Sequence, residues 1–539
     1  MSNTTTGSDR VIPGAQPPEQ QRVSRLARLT RPAVTHWQFT IVLVAAVIVR
    51  LIVILGYPPI LWFNDSYNYV YDAVTHIPDA VRPNGYPFFI ELLLPLHSAY
   101  PLAVLQAAMG VGMGVFIYAL LRHRGLPWWG ATLPALPVLF DSYELHLEHM
   151  VTADTLFIFL GTAAVVLLCW SDRPSVPVMA IAGLLIGYAT VVRSVGQPLL
   201  AVVLLAMLVR RVGWRRLATL LVAGVVPIAA YMAWFHGTYG AYALTQSSGT
   251  FLYSRVSTFA ECARMNPSAD IRALCDPTPT QYRPVSGDYV WTDNELGPYA
   301  RKTTPLFNLV NSGDTSLRFS AKVNGMAEKF ARDAILAQPF DYLRVVAHDT
   351  LHTFGWNRQP DPDNFYGNGP SFQFDTAAPP VPWWAGPATA SKVAAWDRAY
   401  GEDGQARQMY QARQEFGGSG LGNSEAMRPW QRLLQIYQRY FYLRGTLLGI
   451  IVLIGAAGLL ARWRRWGDVG LLPWLVGVLM IVLPPMTAGF SYRYVLAAVP
   501  TACLAAGLAF ARRPGDKSVG ALAADLRRHF GRGVAVDQE

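Results

Sequence analysis

Long apolar runs separated by short basic clusters are the feature that most constrains this chain. The first run extends from Phe39 to Tyr57, and comparable runs recur along the sequence. A helix of about 20 apolar residues is long enough to cross a bilayer. Of the 539 residues, 52% are hydrophobic and only 15% are charged, whereas soluble domains carry about 25% charged residues. The sequence therefore predicts a mainly α-helical, polytopic membrane protein.

We expect about ten transmembrane helices, of which the third and the sixth are short. The predicted spans are residues 38–57, 99–121, 127–143, 152–170, 176–192, 197–211, 216–235, 445–462, 470–488 and 493–511.

The placement of Lys and Arg predicts the orientation of these helices. Basic residues concentrate before the first span and in alternate short connections, and such residues favour the cytoplasmic side. Both termini are therefore expected in the cytoplasm of a multi-pass cell-membrane protein. The predicted organisation is a disordered cytoplasmic tail (1–36), a transmembrane module (37–235) with a first outside loop (58–98), an extracytoplasmic domain (236–444), C-terminal transmembrane helices (445–511) and a basic cytoplasmic tail (512–539).

The four cysteines fit this topology. Cys169 and Cys503 lie in apolar runs and are expected to be small core residues. Cys262 and Cys275 lie in the predicted extracytoplasmic domain, where an oxidising compartment permits a local disulfide. No cysteine spacing suggests a zinc site.

The net charge of +10 does not indicate nucleic-acid binding. The basic residues lie in short clusters between apolar runs, and no aromatic-interleaved basic patch or DNA-binding motif is present. We therefore expect the lipid bilayer, and not nucleic acid, as a partner.

Acidic residues mark the predicted outer surface. Asp65 and Asp72 lie in the stretch WFNDSYNYVYDA (62–73), and Asp154 directly precedes an apolar run. A carboxylate near a bilayer is costly unless it is paired or lines a wet cavity, so it is a functional candidate. Asp65 and Asp154 are predicted to be catalytic, whereas Asp72 is expected to be a solvated loop residue.

Three arginines are expected on the same side. Arg82 lies in RPNGYP, Arg193 follows the fifth span and Arg493 opens the last. A guanidinium group suits bidentate binding of phosphate, so all three are predicted to bind a donor phosphate. For Arg493, anchoring of a helix end by snorkelling is an equal alternative.

Other residues near these groups are candidates for substrate contact. They are Tyr67, Tyr86, Glu148 and His149. Tyr67 fits an interfacial aromatic belt better than a platform for a sugar. His149 is spaced three residues from His146, but two such ligands do not make a metal site.

Five motifs, in this order and spacing, resemble one family. They are FNDSYNYVYDA, RPNGYPFFIELLL, TADTLFIFL, YATVVRSVGQPLL and RYVLAAVP. The chain resembles membrane glycosyltransferases of the GT-C class. The closest resemblance is to the polyprenyl-phosphate-sugar-dependent branch, which includes protein O-mannosyltransferases and lipid A aminoarabinose transferases.

This resemblance implies transfer of a hexosyl or pentosyl group, with inversion, from a polyprenyl-phosphate donor to an extracytoplasmic acceptor such as an envelope glycan, a lipid or a protein. Asp65 would be the general base, Arg82 would bind the donor phosphate and Asp154 would position donor or acceptor. No cofactor is required, although a divalent cation could bridge phosphate and acids. The sequence departs from the family where Asp65 is followed by Ser66 instead of a second acid, and in residues 236–444, which match no motif of the class.

Two other function classes fit part of the pattern. A transporter or lipid flippase would also have many spans, but inverted repeats are typical of transporters and none is evident here. A non-catalytic scaffold would not need carboxylates and arginines near the first, second and fourth spans.

Overall fold

The computed structural model describes residues 36–291, 304–310, 318–357, 374, 426–462 and 468–511. The chain divides into two compact units, residues 1–45 and 46–539. In the first unit, the described residues begin the first helix, and the Thr40 hydroxyl donates to the His36 carbonyl at 3.2 Å. The predictions for the terminal tails lie outside the described residues, apart from His36.

The described chain is mainly helical and forms no strand, so this part of the predicted fold class is confirmed. The helices are α1 Trp37–Gly56, α2 Asn64–Thr75, α3 Gly85–Glu91, α4 Tyr100–His123, α5 Trp128–Thr132, α6 Leu136–Phe140, α7 Ser142–Glu148, α8 Asp154–Cys169, α9 Val176–Val192, α10 Gly196–Val209, α11 Trp214–Tyr239, α12 Ser248–Ser257, α13 Cys262–Met265, α14 Asp288–Trp291, α15 Pro305–Val310, α16 Ala321–Ala337, α17 Pro339–His352, α18 Trp430–Tyr440, α19 Gly445–Ala461, α20 Leu471–Thr487, α21 Tyr492–Leu496 and α22 Val499–Leu508.

Three helices within the described ranges are long and apolar enough to cross a membrane: α1, α4 and α11. The pair α18 and α19, bent by 54°, would be a fourth if it is one broken span. α1, α4, α11 and α19 coincide with predicted spans, whereas α18 lies in the region predicted to be extracytoplasmic. The long apolar helices indicate a membrane protein.

The remaining predicted spans coincide with shorter apolar helices. An example is α10, whose 14 residues extend about 21 Å at 1.5 Å per residue, less than the roughly 30 Å hydrocarbon core. The total of ten spans therefore stays a prediction.

Glycines bring α9 close to its neighbours. A Cβ at Gly187 would overlap the Gly224 carbonyl of α11, so small residues allow close approach of the two helices. A Cβ at Gly85 would lie 2.5 Å from the Val191 carbonyl carbon. The start of α3 therefore packs directly on the end of α9, next to Arg193.

The region predicted to be extracytoplasmic contains a hydrophobic core of its own. Tyr253 of α12 packs edge-on against Phe330 of α16, with ring centroids 5.2 Å apart, and both side chains are buried. At the edge of this core, Cys262 and Cys275 form the predicted disulfide. The other two cysteines are free and buried, as expected from their apolar surroundings.

Candidate functional site

Five charged side chains form a continuous alternating cluster, hereafter the charged cluster. Asp65 receives Arg82 Nη2 on Oδ1 at 2.7 Å and Arg493 Nη1 on Oδ2 at 3.2 Å. Arg493 Nε lies 3.8 Å from Asp154 Oδ2, and Asp154 Oδ1 also pairs with Arg193 Nη1. The order is therefore Arg82, Asp65, Arg493, Asp154, Arg193. These are the two predicted catalytic residues and the three predicted phosphate-binding residues.

Each member of the charged cluster lies at the end of a helix or beside one. Asp65 is in the first turn of α2 and Asp154 begins α8. Arg193 is the C-cap of α9, Arg493 lies in α21, and Arg82 precedes α3. Helix ends carry backbone N–H and C=O groups that lack a partner within the helix. These positions are therefore polar and can hold charged side chains beside apolar helices.

A hydrogen-bonded junction fixes the position of Asp65. The Ser66 hydroxyl accepts from the Phe63 backbone N–H at 2.8 Å and donates to the Val151 carbonyl at 2.7 Å. Val151 N–H in turn donates to the Leu61 carbonyl at 3.0 Å. Ser66, the departure from the family pattern, therefore ties the first loop to the segment that leads into Asp154.

Aromatic rings lie against the guanidinium groups. The Arg493 guanidinium carbon lies 5.1 Å from the Phe63 ring centroid and 5.2 Å from that of Tyr494. Arg193 approaches the same Tyr494 ring at 5.3 Å. Such cation–π contacts hold arginine planes in place. Sequence reasoning did not select Phe63 or Tyr494, although both lie within the motifs FNDSYNYVYDA and RYVLAAVP.

Three members of the charged cluster are buried, and Arg82 and Arg193 are partly buried. Asp65, Asp154 and Arg493 are 9%, 4% and 9% exposed. Burial alone would raise the pKa of Asp65, but the neighbouring Arg82 and Arg493 outweigh it and lower that pKa. Asp65 is therefore ionised, and its basicity depends on how firmly these arginines hold it.

Asp72 does not behave as the sequence predicted. The prediction that Asp72 faces water is wrong, because this residue is only 7% exposed. Burial, followed by the nearby Asp79, raises the pKa of Asp72 well above its ordinary value. Asp79 Oδ2 lies 3.8 Å from Arg82 Nη1. The part of α2 after Asp65 therefore packs against protein. Asp72 and Asp79 form an acidic pair beside the charged cluster.

Two of the candidates for substrate contact are held in other interactions. Glu148 forms a buried ion pair with Arg50, with N–O distances of 2.8 and 2.7 Å. His149 Nε2 lies 2.7 Å from the Tyr57 carbonyl, and burial lowers the pKa of His149 to about 4. A neutral imidazole that donates from Nε2 fits this contact. The predicted substrate contacts of these two residues stay predictions.

Tyr86 is held by a buried hydrogen bond. The Tyr86 hydroxyl donates to Gln106 Oε1 at 2.7 Å, and its ring packs edge-on against Tyr69 at 5.1 Å. The side chain of Tyr67 lies outside the described residues. Tyr86 is not a member of the charged cluster.

The chain matches no protein-family model, no curated protein and no solved structure. Function is therefore inferred from the chemistry of the charged cluster. Among the described residues, no group of three or more His, Cys, Asp or Glu side chains is arranged to hold a metal ion.

The charged cluster combines two chemical capacities. Three guanidinium groups can bind and stabilise phosphate oxygens. Two carboxylates alternate with them, and a carboxylate in such a site can accept a proton from a hydroxyl group. The buried Arg255 pairs with the partly buried Asp349 at 2.8 Å. Sequence reasoning missed this pair, because isolated charges in a long polar region gave no signal.

Proposed function

We propose that this protein is a membrane glycosyltransferase of the GT-C type. It would move a hexosyl or pentosyl group, with inversion, from a polyprenyl-phosphate donor to an extracytoplasmic acceptor. In this proposal the chain has ten spans, both termini are cytoplasmic and residues 236–444 lie outside. The observation that carries the proposal is the pairing of Asp65 with both Arg82 and Arg493.

The arginines suit the leaving group. A polyprenyl-phosphate sugar is a phosphodiester with one negative charge. When the bond from the anomeric carbon to the phosphate oxygen breaks, its electron pair leaves with the phosphate, which gains a second charge. Arg82 and Arg493 would stabilise this developing charge. Fixed positive groups that face the charge formed in the transition state assist such bond breaking strongly.

Asp65 suits the role of base under one condition. While both arginines hold it, its pKa is lowered and it is a weak proton acceptor. A bound donor phosphate competes for the same guanidinium groups, and its arrival therefore raises the basicity of the carboxylate. In this way the base becomes effective when the donor is present.

The transfer itself balances in one step. The acceptor hydroxyl oxygen forms a bond to the anomeric carbon, and its proton passes to the Asp65 carboxylate. Phosphate departs from the opposite face through an oxocarbenium-like transition state, as in glycoside hydrolysis by inversion. Asp154 would hold Arg493 and Arg193 in position through its two oxygens.

The test is release of polyprenyl phosphate by the purified protein in liposomes supplied with a panel of polyprenyl-phosphate sugars and envelope acceptors. We expect release with at least one donor and its loss in Asp65→Asn. The matched control is Asp270→Asn, an exposed aspartate paired with Lys329 at 2.8 Å, which should retain activity. Equal release by Asp65→Asn and wild type would refute the proposal.

A further inference from the structure

An apolar row lies on the outward side of α17 and at the end of α16. Leu336, Phe340, Leu343 and Leu351 are 73%, 83%, 58% and 67% exposed. Phe340, Leu343 and Leu351 follow helical spacing, so they share one side of α17. Large apolar side chains exposed as a group mark an interaction surface.

The opposite side of α17 faces protein. The Tyr342 hydroxyl donates to the Met486 carbonyl at 2.9 Å. Asp349 pairs with Arg255 of α12 at 2.8 Å, and Val346 is buried. These contacts fix the rotation of α17, so the apolar row must point away from the protein.

The surroundings of α17 place it at the ends of two apolar helices. Met486 belongs to the last turn of α20. Just beyond the C-terminus of α17, the Phe354 carbonyl accepts from the Thr446 hydroxyl at 2.9 Å, at the start of α19. A Cβ at Gly449, one turn into α19, would lie 3.1 Å from the Phe354 ring. A helix that contacts the end of one apolar helix and the start of another lies near one membrane surface.

We propose that α17 lies in the interface at one surface of the membrane, which is the extracytoplasmic surface in the proposed topology, with Phe340, Leu343 and Leu351 inserted among the lipids. Interfacial helices combine an apolar side with basic or polar residues on the flank. Here Arg344 flanks the row and His348 is exposed beside it. The exposed Trp356 follows the helix, and tryptophan is enriched at membrane interfaces.

Alternative occupants of the apolar row make different predictions for accessibility. Lipid would exclude polar solutes but admit oxygen. Water would admit both, and a second copy of this chain would exclude both. Spin labels that report collision with oxygen and with a neutral nickel complex distinguish these cases.

The experiment uses the full chain in phosphatidylethanolamine–phosphatidylglycerol vesicles, with single labels at Leu343→Cys and Leu351→Cys. The matched control is His348→Cys, because its side chain is 77% exposed on the same helix. Unsubstituted protein provides the background from its buried thiols.

We expect labels at positions 343 and 351 to collide at least several-fold more with oxygen than with the nickel complex, relative to the ratio at 348. Nickel accessibility at 343 and 351 equal to that at 348 would overturn the proposal. Exclusion of both reagents at 343 and 351 would also overturn it and would indicate a protein partner.

Discussion

Arg493 and Asp65 lie 428 positions apart in the chain, yet Arg493 Nη1 lies 3.2 Å from Asp65 Oδ2. The same guanidinium group reaches Asp154 through Nε at 3.8 Å. Arg493 therefore links the two carboxylates, and its loss would separate the charged cluster into two halves. This position favours a role at the site over simple anchoring of a helix end.

Asp65→Asn should lower turnover by roughly 10²-fold or more, because it removes the proposed general base. Donor affinity should hold or improve, since Arg82 and Arg493 are released from their carboxylate. Sugar transfer and donor titration in liposomes measure the two effects separately. Loss of donor binding with turnover retained at saturation would assign Asp65 to binding instead.

Arg82→Ala should weaken the apparent affinity for donor by about tenfold or more, the scale of a charged hydrogen bond of about 1.5–3 kcal/mol. Arg82→Lys should recover part of it, because charge returns without the planar fork. Arg264→Ala is the matched control, since Arg264 forms an exposed ion pair with Asp341. If Arg82→Ala binds donor as the control does, Arg82 has only a structural role.

Asp72→Asn should retain activity. Its stability relative to that of the wild type should increase as pH rises. The folded protein raises the pKa of Asp72, so wild type loses stability as pH increases from about 4, the unfolded pKa. Asparagine does not ionise and escapes this loss. Melting temperatures of both proteins at pH 4 and pH 7 provide the test. The expected advantage of the variant is larger at pH 7, and a larger advantage at pH 4 would contradict the buried acidic pair.

Glu148→Gln should reduce stability more than donor affinity. Breaking a buried ion pair costs about 3–5 kcal/mol, and Glu148 pairs with Arg50 in a site where both side chains are at most 5% exposed. Thermal unfolding in detergent and donor titration separate the two readouts. A changed donor affinity at unchanged melting temperature would instead support the predicted substrate contact.

Reduction of the bond between Cys262 and Cys275 should destabilise the core around Tyr253 and Phe330. The two cysteines are 13 positions apart, and closing a loop of this size contributes about 3 kcal/mol in the chain-entropy model. Limited proteolysis of the same protein, oxidised and reduced, should show faster cleavage in the reduced form. Equal rates would mean that packing alone holds this region.

Local patterns were enough to predict the long apolar helices and the disulfide. The apolar runs predicted α1, α4 and α11 because each of these segments must keep an apolar helix surface away from water. This need depends only on the residues of the segment itself. The disulfide was predictable for the same reason, since its two cysteines are close in sequence. The lysine and arginine clusters likewise predicted the orientation of the spans in the membrane, and this orientation stays a prediction.

Only the tertiary structure decided which charges meet. The sequence indicated Asp65, Asp154 and the three arginines one at a time, but the order in which they pair depends on how α2, α8, α9 and α21 pack. The burial of Asp72 and the pairing of Glu148 with Arg50 depend on packing in the same way. Hydropathy and spacing describe neighbours along the chain, whereas the environment of a carboxylate is set by groups that folding brings from distant positions.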